Sequence, residues 1–129
     1  MVYQNVNIRN QNQVKSSKIE LKYRTFYLSI NIIKFLERLD YKQSIKIISD
    51  QLIRSITSVG ANIVEAKSSS SKKEFLNYFQ IALKSSNETK YWLKLLEKAE
   101  VSIKEDCRNL WQEAHELTLI FSKIVINSK

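Results

Sequence analysis

The sequence has no proline, one glycine and one cysteine among its 129 residues. Hairpin turns draw on residues that tolerate positive φ or pre-set a turn, so a chain this poor in Gly and Pro is a weak candidate for any hairpin-built sheet. The lone Cys107 can form no internal disulfide and supplies no cysteine metal cluster, which removes the disulfide-stapled secreted domain. No apolar run approaches the ~20 residues that span a bilayer, and the start MVYQNVNIRNQNQVKSS lacks the apolar stretch of a secretory leader. A glycine-rich nucleotide loop is missing as well. What remains is a soluble, cytoplasmic, all-α protein, with a length that suits one domain.

Charge and apolar pattern are what the sequence does have. The net charge is +8, with a pI near 9.6. Residues 1–18 carry Arg9, Lys15 and Lys18 and no acid, whereas residues 101–129 are balanced. A basic surplus of this kind favours polyanions, nucleic acid above all, through counterion release. Residues 1–16, rich in Asn and Gln and without apolar period, read as a flexible basic arm, and 17–129 as a helical domain.

Four apolar stripes follow. From Ser17 to Asp40 two stripes run together, Ile19, Tyr23, Phe26, Ile30 and Ile33 beside Leu28, Ile32, Phe35 and Leu39, which predicts a helix burying a wide face. Ile45, Ile48, Leu52, Ile56, Val59, Ile63 and Ala66 form a second stripe. Phe75, Phe79, Ala82, Ser86, Thr89, Leu93 and Leu96 form a third with a small, polar middle, and Ile103, Cys107, Leu110, Ala114, Leu117, Phe121 and Ile124 a fourth. Gly60 falls inside the second stripe, so the helix is expected to run through it, at roughly 1 kcal/mol relative to Ala. The corner belongs instead in KSSSS, where serines compete with helical hydrogen bonding. Ser71 with Glu74, and Ser102 with Glu105, have the capping-box spacing that would open the third and fourth helices. Short connections between four helices favour an antiparallel up-down-up-down four-helix bundle. Tyr27, Tyr78, Ile81, Tyr91, Trp92, Trp111, Ile120 and Ile126 flank these stripes, more apolar surface than one bundle covers, which points to self-assembly.

The stretch QLIRSITSVGANIVEAKSSSSKKEFLNYFQIALKSSNETKYWLKLLEKAE, Gln51 to Glu100, resembles the four-helix-bundle proteins encoded in intervening sequences of bacterial large-subunit ribosomal RNA genes. The resemblance rests on Gln51, Leu52, Arg54, Ser58, Ala61, Asn62, Ile63 and Glu65, on the corner Ser70 to Phe75, and on Ala82, Leu83, Ser85 and Glu88. It departs from the family pattern at Gly60, where the family has proline, at Lys67, which stands near the family's corner glycine, and at Lys84, which takes the place of the glycine before Ser85. The resemblance implies a long bundle assembling into a homo-oligomeric ring, often a pentamer, with a role in nucleic-acid biology. Related bundles act as accessory subunits to reverse transcriptases, so such an enzyme is an implied partner.

Three constellations could carry function. Gln51, Arg54, Ser58, Asn62 and Glu65 share one helix face, and with Ser85 and Glu88 they suggest a polar network that fixes helix register or subunit geometry. Lys67, Ser70, Ser71, Lys72 and Lys73 surround a helix N-terminus, whose free N–H groups and dipole suit a phosphate. Lys90, Lys94 and Lys98 make a second basic line, with Tyr91 and Trp92 as stacking surfaces and with Glu97 and Glu100 diluting it.

A different chemistry is conceivable in RNLWQEAH. Arg108 and His115 lie seven residues apart on one helix face, the loose pattern of small helical ribonucleases, with His as acid or base and Arg holding phosphate. His115 lacks metal-ligand partners, since the position three before it is Gln112 rather than Glu. No metal, cofactor or catalytic set is expected. The function expected is therefore non-enzymatic binding of nucleic acid, RNA favoured, with the ribonuclease or a purely structural protein-interaction hub as alternatives.

Overall fold

The computed structural model describes residues 18–128, with side chains from Leu21 onward; the arm expected at 1–16 lies outside them. Four helices make up the described chain: α1 (Lys18–Glu37), α2 (Gln43–Lys67), α3 (Lys72–Ala99) and α4 (Lys104–Asn127), with a short 3₁₀ turn (Val101–Ile103) before α4. No strand occurs among the described residues. Each helix packs on its neighbours in sequence, and α1 also packs on α4.

The apolar stripes of α2, α3 and α4 face a shared core. Leu52, Ile56, Val59 and Ile63 meet Phe79, Ala82, Leu93 and Leu96, with Cys107, Ala114, Leu117 and Phe121 completing it. Phe79 and Phe121 meet edge to face, their centroids 6.0 Å apart. Each fully buried Leu, Ile or Phe contributes roughly 1.5–3 kcal/mol, so these stripes, rather than helix propensity, hold the helices.

The small, polar middle of α3 is cross-linked on both sides. Ser58 and Ser85 share a hydrogen bond at 2.8 Å, Thr89 Oγ1 donates to Ser55 Oγ at 2.9 Å, and Thr118 Oγ1 donates to Ser86 Oγ at 3.0 Å. Small residues let the helices approach, and hydroxyls that would be costly to bury alone satisfy one another across the seam.

α2 runs without interruption through Gly60, which has no positive φ. A Cβ there would meet nothing closer than Thr25 Oγ1 at 3.8 Å, so no close approach demands a glycine. The chain turns instead at the serines. Ser69 Oγ donates to the Ala66 carbonyl at 2.6 Å and closes α2, while Ser71 Oγ accepts from the Glu74 N–H at 3.1 Å and opens α3.

Two expectations need correction. In α1 only one stripe is internal: Leu28, Ile32, Phe35 and Leu36 are buried, while Tyr23 and Phe26 are 50% and 57% exposed. A single helix can press only one face on its neighbours, and the face carrying Leu21, Leu28 and Ile32 does so. At α4 the expected Ser102 cap does not form. Ser102 Oγ donates to Glu100 Oε2 at 3.0 Å instead, and Ile103, after the 3₁₀ turn, precedes the helix without a side-chain cap.

Candidate nucleic-acid interface

The serine corner joins Lys67, at the end of α2, to Lys72 and Lys73 in the first turn of α3, and of these Lys67 and Lys72 share a depression. Lys67, Ser69, Ser70, Ser71, Lys72 and Phe75, with Ser128 after α4, line an open depression of about 500 Å³. Among the described residues none of the three lysines meets a carboxylate. Glu74 limits the site from within, because its Oε1 accepts from the Ser70 N–H at 3.3 Å, a donor that a phosphate would otherwise use.

The lysine line of α3 has a different neighbourhood from the one its own helix suggests. Lys90 Nζ and Lys94 Nζ lie 5.1 and 5.2 Å from the centroid of Trp111 on α4, within cation–π range. Trp111 stacks on His115, with centroids 4.8 Å apart and ring planes 14° from parallel. Lys90 Nζ and His115 Nδ1 lie 3.0 Å apart, within hydrogen-bond reach. Tyr91 and Trp92, the stacking surfaces suggested by sequence, pair edge to face with each other, and both Trp92 and Trp111 pack partly on the core.

Beneath this face sits Glu97, 3% exposed. Arg108 Nε donates to its Oε2 at 3.2 Å, and the Lys94 and Lys98 ammoniums stand 3.5 and 3.8 Å from its oxygens. Burial opposes ionisation, but the hydrogen bond from Arg108 and the charges of Lys94 and Arg108 outweigh it and hold the carboxyl below its ordinary pKa. Cys107, also buried, has its thiol pushed up to about 12 by burial and by the charges of Glu97 and Asp106. It is an inert core residue.

Arg108 and His115 thus have separate partners: the guanidinium holds Glu97 and lies 3.9 Å from Glu105, while the imidazole faces Lys90 and Trp111. Among the described residues no three His, Cys, Asp or Glu side chains converge as metal ligands, and no helix is long and apolar enough to cross a membrane.

The polar stripe of α2 is partly joined. Arg54 donates to Gln51 Oε1 from Nε and Nη2 and faces Glu88 across the seam at 3.9 Å. Asn62 Nδ2 donates to the Ser58 carbonyl at 2.8 Å, beside the Ser58–Ser85 link. Glu65 is exposed and its side chain has no partner among the described residues. The corner and the α3–α4 face are not brought together: Lys72 and Lys90 stand about 27 Å apart along α3 at 1.5 Å per residue.

One ion link across the helices had no sequence signal. Arg24, 1% exposed, joins α1 to α4 through Glu113 and Glu116. Burial disfavours its charge, yet hydrogen bonding and attraction to these two carboxylates raise its pKa further.

The pattern of the family of 23S rRNA-intervening sequence proteins matches residues 17–123. The chain belongs to that family. A crystal structure of a protein of unknown function from the S23 ribosomal protein family of Bacteroides thetaiotaomicron is similar to it at 32% identity, with a TM-score of 0.76, covering 84% of this chain and 96% of the other. No curated protein matches it. The likeness therefore extends beyond Gln51–Glu100 to the flanking helices.

Proposed function

We propose that the protein is a non-enzymatic, self-associating nucleic-acid-binding bundle that engages RNA in preference to DNA, alone or as the accessory subunit of a nucleic-acid enzyme such as a reverse transcriptase. The observation that carries this reading is uncompensated positive charge at fixed places: Lys67, Lys72 and Lys73 around a helix N-terminus, and Lys90 beside Trp111. A net charge of +8 supplies the long-range attraction. The non-enzymatic part is supported by Arg108 and His115, each engaged by its own partner.

Self-association is supported by the outward stripe of α1. Tyr23, Phe26, Ile30 and Ile33 line a groove of about 630 Å³ with Thr57, Gly60, Ala61 and Val64 of α2. Antiparallel packing is supported by the hydroxyl links, whose partners move from Ser58 back to Ser55 on α2 as they advance from Ser85 to Thr89 on α3. A ring, five-membered by the family resemblance, would repeat each basic patch and let modest contacts combine by avidity.

Fluorescence anisotropy with structured RNA and with duplex DNA at increasing salt tests the binding. Affinity is expected to fall linearly on a log–log plot, with a slope of about −0.7 to −0.9 per phosphate neutralised. A salt-independent interaction, or none, overturns the reading. Light scattering tests the ring, and a monomer at micromolar concentration removes it. The apolar groove also favours a second reading, a protein-docking hub, in which reversing the charges of Lys72 and Lys73 would leave partner binding unchanged.

A further inference from the structure

The geometry points to a subsite for one unpaired nucleotide on the α3–α4 face, its phosphate held by Lys90 and Lys94 and its base stacked on the Trp111–His115 pair. The inference rests on the nucleic-acid reading above and gives it a location and a ligand form.

Three observations converge there. The first is charge. Both ammoniums lie within about 5 Å of one indole centroid, so they can be no more than about 10 Å from each other, roughly a Debye length at 0.1 M salt. Lys94 shares Glu97 with Lys98 and Arg108, and Lys90 has no carboxylate partner among the described residues, only the Nδ1 nitrogen of His115. Lys94, Lys98 and Arg108 around the buried Glu97, with Lys90 beside them and only Glu105 further opposing them 3.9 Å from Arg108, leave a local excess that a phosphodiester would neutralise.

The second is the ring pair. Trp111 and His115 are half-buried rather than enclosed, Trp111 with part of its ring on the core, and they are already parallel, so the surface offered to a base is the outer, solvent-facing side of the pair. Unpaired bases stack on such rings, and every base offers a π-face, so the subsite would tolerate sequence while requiring a base out of its duplex.

The third is rigidity. Trp111 and His115 stand one helical turn apart on α4, Lys90 and Lys94 one turn apart on α3, and α3 and α4 are pinned to each other by Arg108–Glu97 and by Thr118–Ser86. The four side chains are thus presented from two fixed helices, so little ordering cost accompanies binding. The serine corner, some 18 residues earlier on α3, lacks an aromatic surface that is parallel to another ring and flanked by cations.

The test uses intrinsic fluorescence. The chain has two tryptophans, and Trp92 Nε1 makes no hydrogen bond, so Trp92→Phe leaves Trp111 as the sole reporter without breaking one. This variant is titrated with single-stranded RNA and single-stranded DNA 12-mers and with a duplex RNA of equal length, while anisotropy of labelled strands reports total binding. Single strands are expected to quench Trp111 saturably, duplex RNA to bind without quenching, and the RNA and DNA arms to show whether the sugar matters. Lys90→Gln with Lys94→Gln is expected to weaken single-strand binding about tenfold, and Lys90→Arg with Lys94→Arg to restore most of it. Binding by anisotropy with unchanged Trp111 emission and wild-type affinity in the Gln variant overturns the subsite and leaves the nucleic-acid reading standing. No binding of any strand overturns both.

Discussion

Arg24 of α1 closes on Glu113 of α4 through two parallel hydrogen bonds, Nε to Oε2 at 3.0 Å and Nη2 to Oε1 at 2.7 Å, and Nη2 also reaches Glu116 at 3.2 Å. α1 and α4 share the least extensive of the helix seams, so this link has a large share in docking α1. Glu113 and Glu116 are 11% and 44% exposed, so water can reach both carboxylates once the guanidinium is gone, and the cost falls below that of a fully buried pair. Arg24→Ala is therefore expected to cost about 1–3 kcal/mol in urea unfolding followed by circular dichroism, and Arg24→Met, which refills the volume, distinctly less. An unchanged midpoint for Arg24→Ala would show that the pair is idle.

Gly60 sits in a helix interior with ordinary φ and room for a methyl group. Gly60→Ala should restrict the unfolded chain without straining the folded one, raising stability by about 0.5–1 kcal/mol. Thermal unfolding checks it. A lower midpoint would mean that α1 must approach this position more closely than the 3.8 Å clearance shows.

The hydroxyl cross-links of α3 should behave as pairs. Thr89→Val alone removes the bond across the seam to Ser55 Oγ, which keeps its own bond to the Leu52 carbonyl, and is expected to cost about 0.5–1.5 kcal/mol. Adding Ser55→Ala should then cost less than Ser55→Ala costs in the wild type, because the bond it would break is already gone. A double-mutant cycle with zero coupling energy would contradict this account.

The lowered pKa of Glu97 ties stability to pH. The unfolded carboxyl titrates near its ordinary 4.5, the folded one lower, so the unfolded state takes up the proton first as pH falls. The contribution of Glu97 is then complete above about 4.5 and is lost as pH drops through the folded pKa. Comparing wild type with Glu97→Gln in urea should show a gap that is widest at neutral pH and narrows below pH 4.5. A gap constant down to pH 3 or below would place the carboxylate outside the ion-pair network.

Cys107 should be silent in the folded protein. With its thiol pushed up to about 12, only about one molecule in ten thousand carries the reactive thiolate at pH 8, and the sulfur is buried as well. Ellman's reagent is expected to find no thiol in native buffer and one in concentrated urea. Rapid native labelling would mean that α4 opens locally.

The legibility of the site divides along the same line as that of the helices. Lys67, Lys72 and Lys73 could be grouped from sequence because a corner keeps neighbours in the chain close in space. The proximity of Lys90 to His115 could not, because they lie 25 residues apart on different helices. Periodicity says which residues share a face, but not which face of another helix that face will meet. For the same reason Tyr91 and Trp92, adjacent to the lysines in sequence, looked like their aromatic partners, whereas Trp111 holds that place.

The order of apolar and polar residues by itself determined that the chain is helical, that α2 continues through Gly60 and that the corner lies among the serines, because helix geometry is local and repeats every 3.6 residues. Which of the two stripes of α1 turns inward, which acids receive Arg24 and Arg108, and which aromatic ring the lysines cover were decided only when the helices packed. Those choices depend on the rotation of each helix about its axis relative to its neighbours, a quantity set by the fit of side chains across the seams and carried by no single segment.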